Sequence, residues 1–567
     1  MTGLHISFLT HRVGHRVMRV VLCLFVLMAV LPAAAQRHKK RQATRVYLDH
    51  ADELMYDEFA RPGVQIVKGR VRFRYDGTVL TCDSAYYNQE QNTFDAFGHV
   101  HIKGSKGASL SCGRARYSGT DQLIEARQHV VLRQPGRVLY TDSLNYDRVT
   151  ESGTYWGEHG GRMVLGNMAI SSLRGEYFQQ EHKANAYDHV VVRSPKYVIH
   201  TNTLNYDTRT REAHVVGPST IHTQGNTIKT SEGYYYPATD RMTLIGYSTI
   251  TSKERDISGD NLKYNSKTGE SEGHGHVVVV DKKNKRRITG DYLKYNSTAK
   301  KGEGRGNVHY VDRKNRHSVF ADVVHYTESS AIAYGKALAK DFSQKDTLFV
   351  HADTIRMRAY NLKTDSVFRK LYGIKNVRAY RTDVQAVCDL LVFNSKDTCL
   401  TMYRDPIAWN ANRQVLGDSI KTFFNDSTIR ETHVMGNALS IELMPDSVHY
   451  NQVSSKKMMA FFVAGKPREA QAVGQVTSVF YPQSDKDSTL VGLIYAETDT
   501  MRMFLTPERR LQKVWMPKTT GTMYPMTQIP PNRKYLPNFQ WYDYIRPKNK
   551  HDLFRVVRKG DVSGKAS

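Results

Sequence analysis

A motif that returns about every thirty residues constrains this chain more than any other feature. The motif is Asp-x-(Ala/Leu)-x-Tyr-(Asp/Asn), and clear copies end at residues 57, 88, 147, 265 and 296. Its tyrosine, or the residue in that place, recurs from Tyr56 to Met357 at intervals of 29–31 residues. A unit of this size cannot bury its own apolar face, so such units stack on their neighbours and share one core.

The second part of each repeat is a Gly-(His/Asn)-Val sequence, such as Gly98-His99-Val100 and Gly306-Asn307-Val308. Apolar and polar residues alternate around both motifs, which indicates strands rather than helices. The Asp/Asn after the tyrosine and the Gly before the valine indicate turns. The repeats therefore predict an all-β protein made of short strands. With one rung per repeat, each repeat would lengthen the sheet by about 4.8 Å.

The first 35 residues have the features of a secretory signal peptide. Arginines precede a twelve-residue apolar run, Val20–Leu31, and Ala33-Ala34-Ala35 forms an A-x-A cleavage site before Gln36. The chain of 567 residues carries a formal net charge of +26, which favours an anionic partner. Because export argues against nucleic acid, lipid phosphates are the expected anion. No later segment reaches the roughly 18 consecutive apolar residues of a membrane helix.

Four cysteines follow the signal peptide, and an exported protein can oxidise them. Cys82 lies five residues before Tyr87, and Cys112 lies five residues before Tyr117. If consecutive repeats were neighbouring strands, ~4.7–4.9 Å apart, this register would allow a Cys82–Cys112 disulfide. The sequence leaves the state of Cys388 and Cys399 open.

The ordered series of Asp-x-(Ala/Leu)-x-Tyr-(Asp/Asn) and Gly-(His/Asn)-Val motifs behind a signal peptide resembles the LptA/OstA family of lipopolysaccharide-transport proteins. The resemblance covers about residues 48–360 well and 361–480 weakly. It implies an elongated open β-jellyroll, or β-taco, built from stacked repeats of about 30 residues, with an apolar groove for acyl chains. Two departures are the histidine in place of the usual asparagine at several copies, and the greater length of the chain.

The resemblance and the repeat limits together predict the following organisation: a signal peptide at 1–35, a linker at 36–47, OstA-like β-jellyroll repeats at 48–360, degenerate repeats forming a second lobe at 361–500, and a proline- and aromatic-rich C-terminal tail at 501–567. The tail suggests either an extended docking segment or an irregular cap. After residue 423 the chain is too short for the large barrel of the related outer-membrane translocon.

The predicted function is that of a periplasmic lipid carrier or bridge, possessing no cofactor and no catalytic residue. Its partners would be lipopolysaccharide or a related anionic lipid, other components of the transport bridge and the outer-membrane translocon, and further copies of itself joined end to end, with no nucleic acid. The groove is predicted to be lined by residues of the apolar register: Leu54, Tyr56, Val71, Phe73, Ala85, Tyr87, Val100, Ile102, Val130, Leu132, Leu144 and Tyr146.

Other functions are weighed against this one. The repeated aspartates, such as Asp83 and Asp291, could form a calcium ladder, but bonds to the backbone of their own turns are favoured. His99 and His129 share one register and could hold a metal, but half-exposed strand positions are favoured. The alternatives from other classes are an exported polysaccharide-active β-helix enzyme, which needs a pair of acids, and a glycan-binding scaffold with outward aromatic rings.

Overall fold

The computed structural model describes residues 46–560 apart from 76, 105–106, 224, 426–427, 485–488 and 509–510. The predicted signal peptide and most of the predicted linker lie outside these residues. The described chain is all-β: it forms 36 strands, three short 3-10 turns and no α-helix. None of its helical segments has the length and apolar character to cross a membrane.

By its internal contacts the chain divides into two compact units. Of the described residues, unit 1 contains 46–195 and 202–209, and unit 2 contains 196–201 and 210–560. This division differs from the domain boundary predicted at residue 360, which stays a prediction.

The strands of unit 1 are β1 (Tyr47–His50), β2 (Glu53–Tyr56), β3 (Val64–Tyr75), β4 (Thr78–Asn88), β5 (Thr93–Lys103), β6 (Ser109–Ser118), β7 (Leu123–Gln134), β8 (Arg137–Asp147), β9 (Ser152–Leu165), β10 (Met168–Phe178) and β11 (Lys183–Arg193). Strand β12 (Tyr197–Asp207) contributes to both units.

Unit 2 continues with β13 (Ala213–Thr223), β14 (Asn226–Tyr236), β15 (Arg241–Ser252), β16 (Arg255–Asn265), β17 (Glu270–Asp281), β18 (Arg286–Asn296), β19 (Lys301–Asp312), β20 (His317–Tyr326), β21 (Ser330–Tyr334), β22 (Leu338–Asp341), β23 (Leu348–His351), β24 (Thr354–Tyr360), β25 (Phe368–Tyr380) and β26 (Gln385–Asn394). It ends with β27 (Cys399–Tyr403), β28 (Ile407–Asn410), β29 (Arg413–Leu416), β30 (Ser419–Asn425), β31 (Thr428–Leu443), β32 (Tyr450–Val463), β33 (Lys466–Phe480), β34 (Gly492–Leu505), β35 (Leu511–Trp515) and β36 (Thr520–Pro525), followed by 3-10 turns at Met526–Gln528, Pro531–Arg533 and Asp552–Phe554.

Each long strand pairs antiparallel with the next and is interrupted near its middle by a β-bulge. Between the pairs Thr81↔His101 and Ser84↔Phe97, β5 has one residue more than β4, because Gly98 and His99 both lie opposite the same aspartate. The bulges divide the sheet into two arms. We call arm A the part between the bulges and turns such as 135–136 in unit 1 and 411–412 in unit 2. We call arm B the part on the other side of the bulges, which ends at turns such as 119–122 and 297–300.

In unit 1 the sheet folds along the line of bulges, so that the inner faces of its two arms pack together. Phe73 lies in arm A, and its ring is 5.4 Å from that of Tyr87 and 5.3 Å from that of Phe94, both in arm B. Tyr75 and Tyr117 make a similar contact at 5.1 Å. The alternation of apolar residues thus places one side of strands β3 to β10 into a shared core, as the periodicity predicts.

Each repeat of about 30 residues contributes two strands rather than one rung. The first repeat of unit 1 supplies β3 and β4, and the next supplies β5 and β6. The expectation of about 4.8 Å per repeat is therefore wrong, and one repeat advances the sheet by about 9.6 Å. The physical reason is that the glycine before the valine forms a mid-strand bulge, whereas the sequence analysis took it for a turn.

The C-terminal segment returns along the sheet of unit 2. Strands β35 and β36 lie within the predicted tail, and the chain after them packs onto arm A. We call residues 534–557 the C-terminal strap. Its apolar residues join two core clusters: Leu536, Phe539 and Trp541 in one, and Tyr542, Ile545 and Val557 in the other.

Candidate functional site

The twelve residues predicted to line a lipid groove occupy three different environments. Leu54 and Tyr56, on the edge strand β2, are 55% and 54% exposed. Leu132 and Tyr146 are half-buried at the margin of the core. The other eight are buried in the core of unit 1: Val71, Phe73, Ala85, Tyr87, Val100, Ile102, Val130 and Leu144. Lipid contact by any of them stays a prediction.

A recess opens where the packing of unit 1 is less complete. Its cavity volume is about 20 Å³, which is room for roughly one water molecule. The apolar wall comes from arm A, arm B and the start of β9: Leu132, Val138, Leu139, Leu144, Gly153 and Met163. Three predicted groove residues, Leu132, Leu144 and Tyr146, meet here. The absence of a side chain at Gly153 leaves the space beside Leu144 and Tyr146 open, since an added Cβ would lie 3.4–3.5 Å from them.

Arg137 gives this recess a cationic mouth. It is half-buried and begins β8, directly after the turn at 135–136. Its Nε donates to Gln134 Oε1 at 2.7 Å, and its guanidinium lies 4.1 Å from the ring centre of Tyr177 and also bonds that tyrosine's hydroxyl. Within the described residues, Arg137 forms no ion pair. Burial lowers its pKa, and the nearby charge of Glu151 acts in the opposite direction.

The same contacts bridge the tips of the two arms. Arg137 lies at the tip of arm A, and Tyr177 lies in arm B near its tip. A second bridge runs from arm B to arm A. Arg148, at the tip of arm B, lies 4.7 Å from the ring centre of Tyr75 and donates to the Thr78 hydroxyl at 3.4 Å, and both partners lie in arm A. Two arginines therefore lie along the seam where the arms meet. Neither arginine can be singled out from the sequence, since their burial depends on the opposite arm.

The repeated aspartates bond side chains across the bulges rather than the backbone of their own turns. The carboxylate of Asp83 lies 2.7 Å from His99 Nδ1, that of Asp260 lies 2.8 Å from His276 Nδ1, and that of Asp291 accepts from Asn307 at 3.1 Å. His99 has φ 43° and follows Gly98 at φ 71°, so the aspartate holds a left-handed pair in place. The described residues contain no cluster of three metal-ligating side chains.

The predicted Cys82–Cys112 disulfide is wrong. Both thiols are free and buried, and strand β5 lies between their strands β4 and β6. Two strand spacings amount to about 9.6 Å, beyond the Cα separation that a disulfide accepts. Burial raises the pKa of Cys82 to about 12 and that of Cys112 to about 11.

Comparison with known proteins identifies the class of the N-terminal repeats. Residues 43–202 match the family model described as OstA-like protein. The N-terminal repeats are therefore similar to OstA-like proteins. A search of solved structures finds LptH, described as the LptA homologous periplasmic component of the lipopolysaccharide transport device of Pseudomonas aeruginosa, at 13% identity and a TM-score of 0.18, with 22% of this chain and 84% of LptH covered. No curated protein matches the chain.

Proposed function

We propose that this protein is a periplasmic carrier of lipopolysaccharide transport, which holds acyl chains in the recess of unit 1 and anionic head-group oxygens at Arg137. The family of the N-terminal repeats supports the transport role. The observation that carries the proposal is the combination of an apolar wall with a half-buried arginine that has no ion-pair partner among the described residues.

The recess suits an amphiphile on energetic grounds. Each acyl CH₂ removed from water contributes about 0.8 kcal/mol, so chain carbons that entered beside Leu132 and Leu144 as the two arms moved apart would be bound with about that energy each. A lipid phosphate at the mouth would form charge-assisted hydrogen bonds with Arg137, which are stronger than neutral ones. The partly desolvated guanidinium strengthens that attraction, because nearby water is limited.

The charge of Arg137 can be tested separately from the apolar wall. In Arg137→Gln, affinity for lipopolysaccharide should fall about tenfold or more, while affinity for the same lipid without its phosphates should not change. Arg133→Gln, which removes an exposed arginine from the same hairpin, is the matched control. Equal affinities of the two variants for the phosphorylated lipid would refute the role of Arg137.

The wall can be tested by photo-crosslinking in the full chain. A photoreactive residue at Leu132 should label lipid during transport, whereas one at His101, which points outward, should not. Equal labelling at both positions would mean that contact is non-specific. Labelling at neither would leave the inner face as an ordinary packed core and would refute the carrier function.

A glycan-binding scaffold has less support. Aromatic rings do lie on the outer face of unit 1, but arginines cover them: Arg114 lies 5.2 Å from the Phe97 ring, and Arg127 lies 5.0 Å from that of Trp156. A sugar would have to displace these cations before stacking on either ring.

A further inference from the structure

Two successive turns of arm A in unit 2 consist mainly of cations. They join β17 to β18 at residues 282–285 and β19 to β20 at residues 313–316. Six of their eight residues are basic and exposed: Lys282, Lys283, Lys285, Arg313, Lys314 and Arg316. The turns at the opposite ends of β17, β18 and β19, at 266–269 and 297–300, carry one lysine each. The excess of positive charge is therefore confined to one side of the sheet.

Hydrogen bonds hold the two turns in a fixed row. In each turn an aspartate accepts from the backbone N–H of the asparagine three residues later, at 2.9 Å from Asn284 and 3.0 Å from Asn315. The Arg313 N–H donates to the Lys285 carbonyl at 3.1 Å, which ties the second turn to the first. Two strand spacings separate the turns by about 9.6 Å. We call residues 282–285 and 313–316 the basic ridge.

The backbone of the basic ridge does not require cations. Lys285 and Arg316 end the two turns with φ of 53° and 56°. This left-handed region favours glycine or asparagine, and the turn at 135–136 in unit 1 ends with Gly136 at φ 77°. Positive charge therefore occupies two positions where the conformation of the turn favours a different residue.

The charges next to the ridge on the inner face already have partners. They lie directly opposite one another in strands β16 to β20: Arg255, Asp281, Arg286, Asp312 and His317. This row shares its face with Ile257, which packs in one cluster with Leu262 of arm B. Arg286 Nε lies 3.0 Å from Asp312 Oδ2, and Asp312 is only 1% exposed. An anion between the arms would meet paired charges here, so the cations of the ridge are available to a partner outside.

Five of the six ridge cations form no ion pair with any residue that the structure describes. The exception is Lys282, whose Nζ lies 2.6 Å from Asp256. Protein interfaces have apolar or aromatic centres and are depleted in lysine, whereas the ridge contains only cations and asparagines. A bilayer with anionic head groups attracts clustered lysines and arginines without an apolar contact. The composition of the ridge thus fits a lipid surface better than a protein partner.

We propose that the basic ridge binds the phosphates of an anionic bilayer surface. This docking goes beyond the carrier function and does not rest on it. The cations bind separate head groups along the row, and each one near the surface strengthens binding about fivefold. The attraction falls off over about 10 Å at 0.1 M salt, so the bilayer must lie directly against the ridge.

Two charge-matched variants test the ridge. The ridge variant combines Lys283→Gln, Lys285→Asn, Lys314→Gln and Arg316→Asn, in which asparagine suits the two left-handed positions. The control variant removes four exposed cations from the arm B ends of strands β15 to β19: Arg241→Gln, Lys267→Gln, Lys300→Gln and Lys301→Gln. Both variants lose the same net charge, so only the place of the lost charge differs between them.

Co-sedimentation with vesicles of phosphatidylglycerol and phosphatidylethanolamine measures the docking, and phosphatidylcholine vesicles supply a surface without net charge. Each protein is purified after export, so that the apolar run at 20–31 is processed as the cell processes it. The ridge variant should bind the anionic vesicles more than about a hundredfold more weakly than the wild type, and the control variant within about fivefold of it. No protein should bind phosphatidylcholine, and added salt should weaken wild-type binding.

Equal losses in the two variants would mean that net charge alone drives binding and would overturn the ridge as a site. Wild-type affinity in the ridge variant, or wild-type binding that salt does not weaken, would overturn it as well. Binding of the phosphorylated oligosaccharide of lipopolysaccharide, freed of its acyl chains, without binding of vesicles would overturn the bilayer as the partner. The carrier function is judged separately by Arg137→Gln and intact lipopolysaccharide, so either proposal can fail alone.

Discussion

Replacing Gly306 by alanine should destabilise unit 2 by an amount that depends on Asp291. Gly306 has φ 69°, and an added Cβ would lie 2.3 Å from an Asp291 carboxylate oxygen. Left-handed backbone costs alanine about 1–2 kcal/mol. The carboxylate must also move, which loses its bond to Asn307, worth about 1 kcal/mol. We expect a total loss of about 2–3 kcal/mol in the free energy of unfolding.

The double variant with Asp291→Ala separates the two causes. Asp291→Ala alone should cost about 1 kcal/mol, and the double variant about 2–3 kcal/mol, less than the sum, because no carboxylate remains to clash. Gly465→Ala is the control for strain alone, since Gly465 has φ 74° with nothing within 4 Å of an added Cβ.

Urea unfolding followed by far-ultraviolet circular dichroism gives all four free energies, provided that the slope with denaturant is unchanged. If Gly306→Ala cost no more than Gly465→Ala, or if the Gly306 and Asp291 effects were additive, the carboxylate would not be holding the bulge.

Cys82 and Cys112 should react with an alkylating agent only after unfolding, because burial raises their pKa values to about 12 and about 11; a linked peptide in a non-reducing map would contradict this. Tyr155→Ala should cost about 3–5 kcal/mol in urea unfolding, since the ring is 1% exposed and packed among glycines; a loss below about 1 kcal/mol would mean that the site collapses around the gap. Hydrogen bonding to Asp260 raises the pKa of His276 in the folded protein. The bond between the protonated His276 and Asp260 therefore stabilises the fold fully below the ordinary histidine pKa of about 6.5, and this stabilisation is lost as pH rises through the folded-state pKa of His276. The urea midpoint of the wild type should therefore fall relative to that of His276→Asn between about pH 5.5 and about pH 8, and a constant difference would refute the coupling.

The tyrosine register was sufficient to predict an all-β repeat fold and its inner face. Tyr87 and Tyr117 do occupy that face, as alternation requires. The number of strands per repeat could not be predicted, because a glycine with positive φ serves equally in a turn and in a bulge. Gly98 belongs to a bulge. That single ambiguity halved the expected advance of the sheet per repeat and produced the wrong disulfide.

The polar parts of the candidate site depend on contacts that no local pattern encodes. Arg137 follows a turn, as many exposed arginines do, and only the approach of Tyr177 from the other arm buries it. Gln414 and Gln452 lie on the outward face of arm A, where the alternation predicts exposed residues, yet both are buried. Such exceptions indicate a buried partner, but the strap that satisfies them is more than 80 residues away in sequence.

Because the repeats carry their own mid-strand bulges, the sheet has a natural unit of growth. Duplicating one repeat of about 30 residues adds two antiparallel strands, so every later strand keeps its direction and its turns stay on the same side. Inserting half a repeat adds one strand and reverses the direction of every later strand. Residues that belonged to arm A would then lie in arm B, and the reverse. A lineage of such proteins can therefore vary in length only in whole repeats, and a chain of this length is accessible from a shorter one by successive duplications.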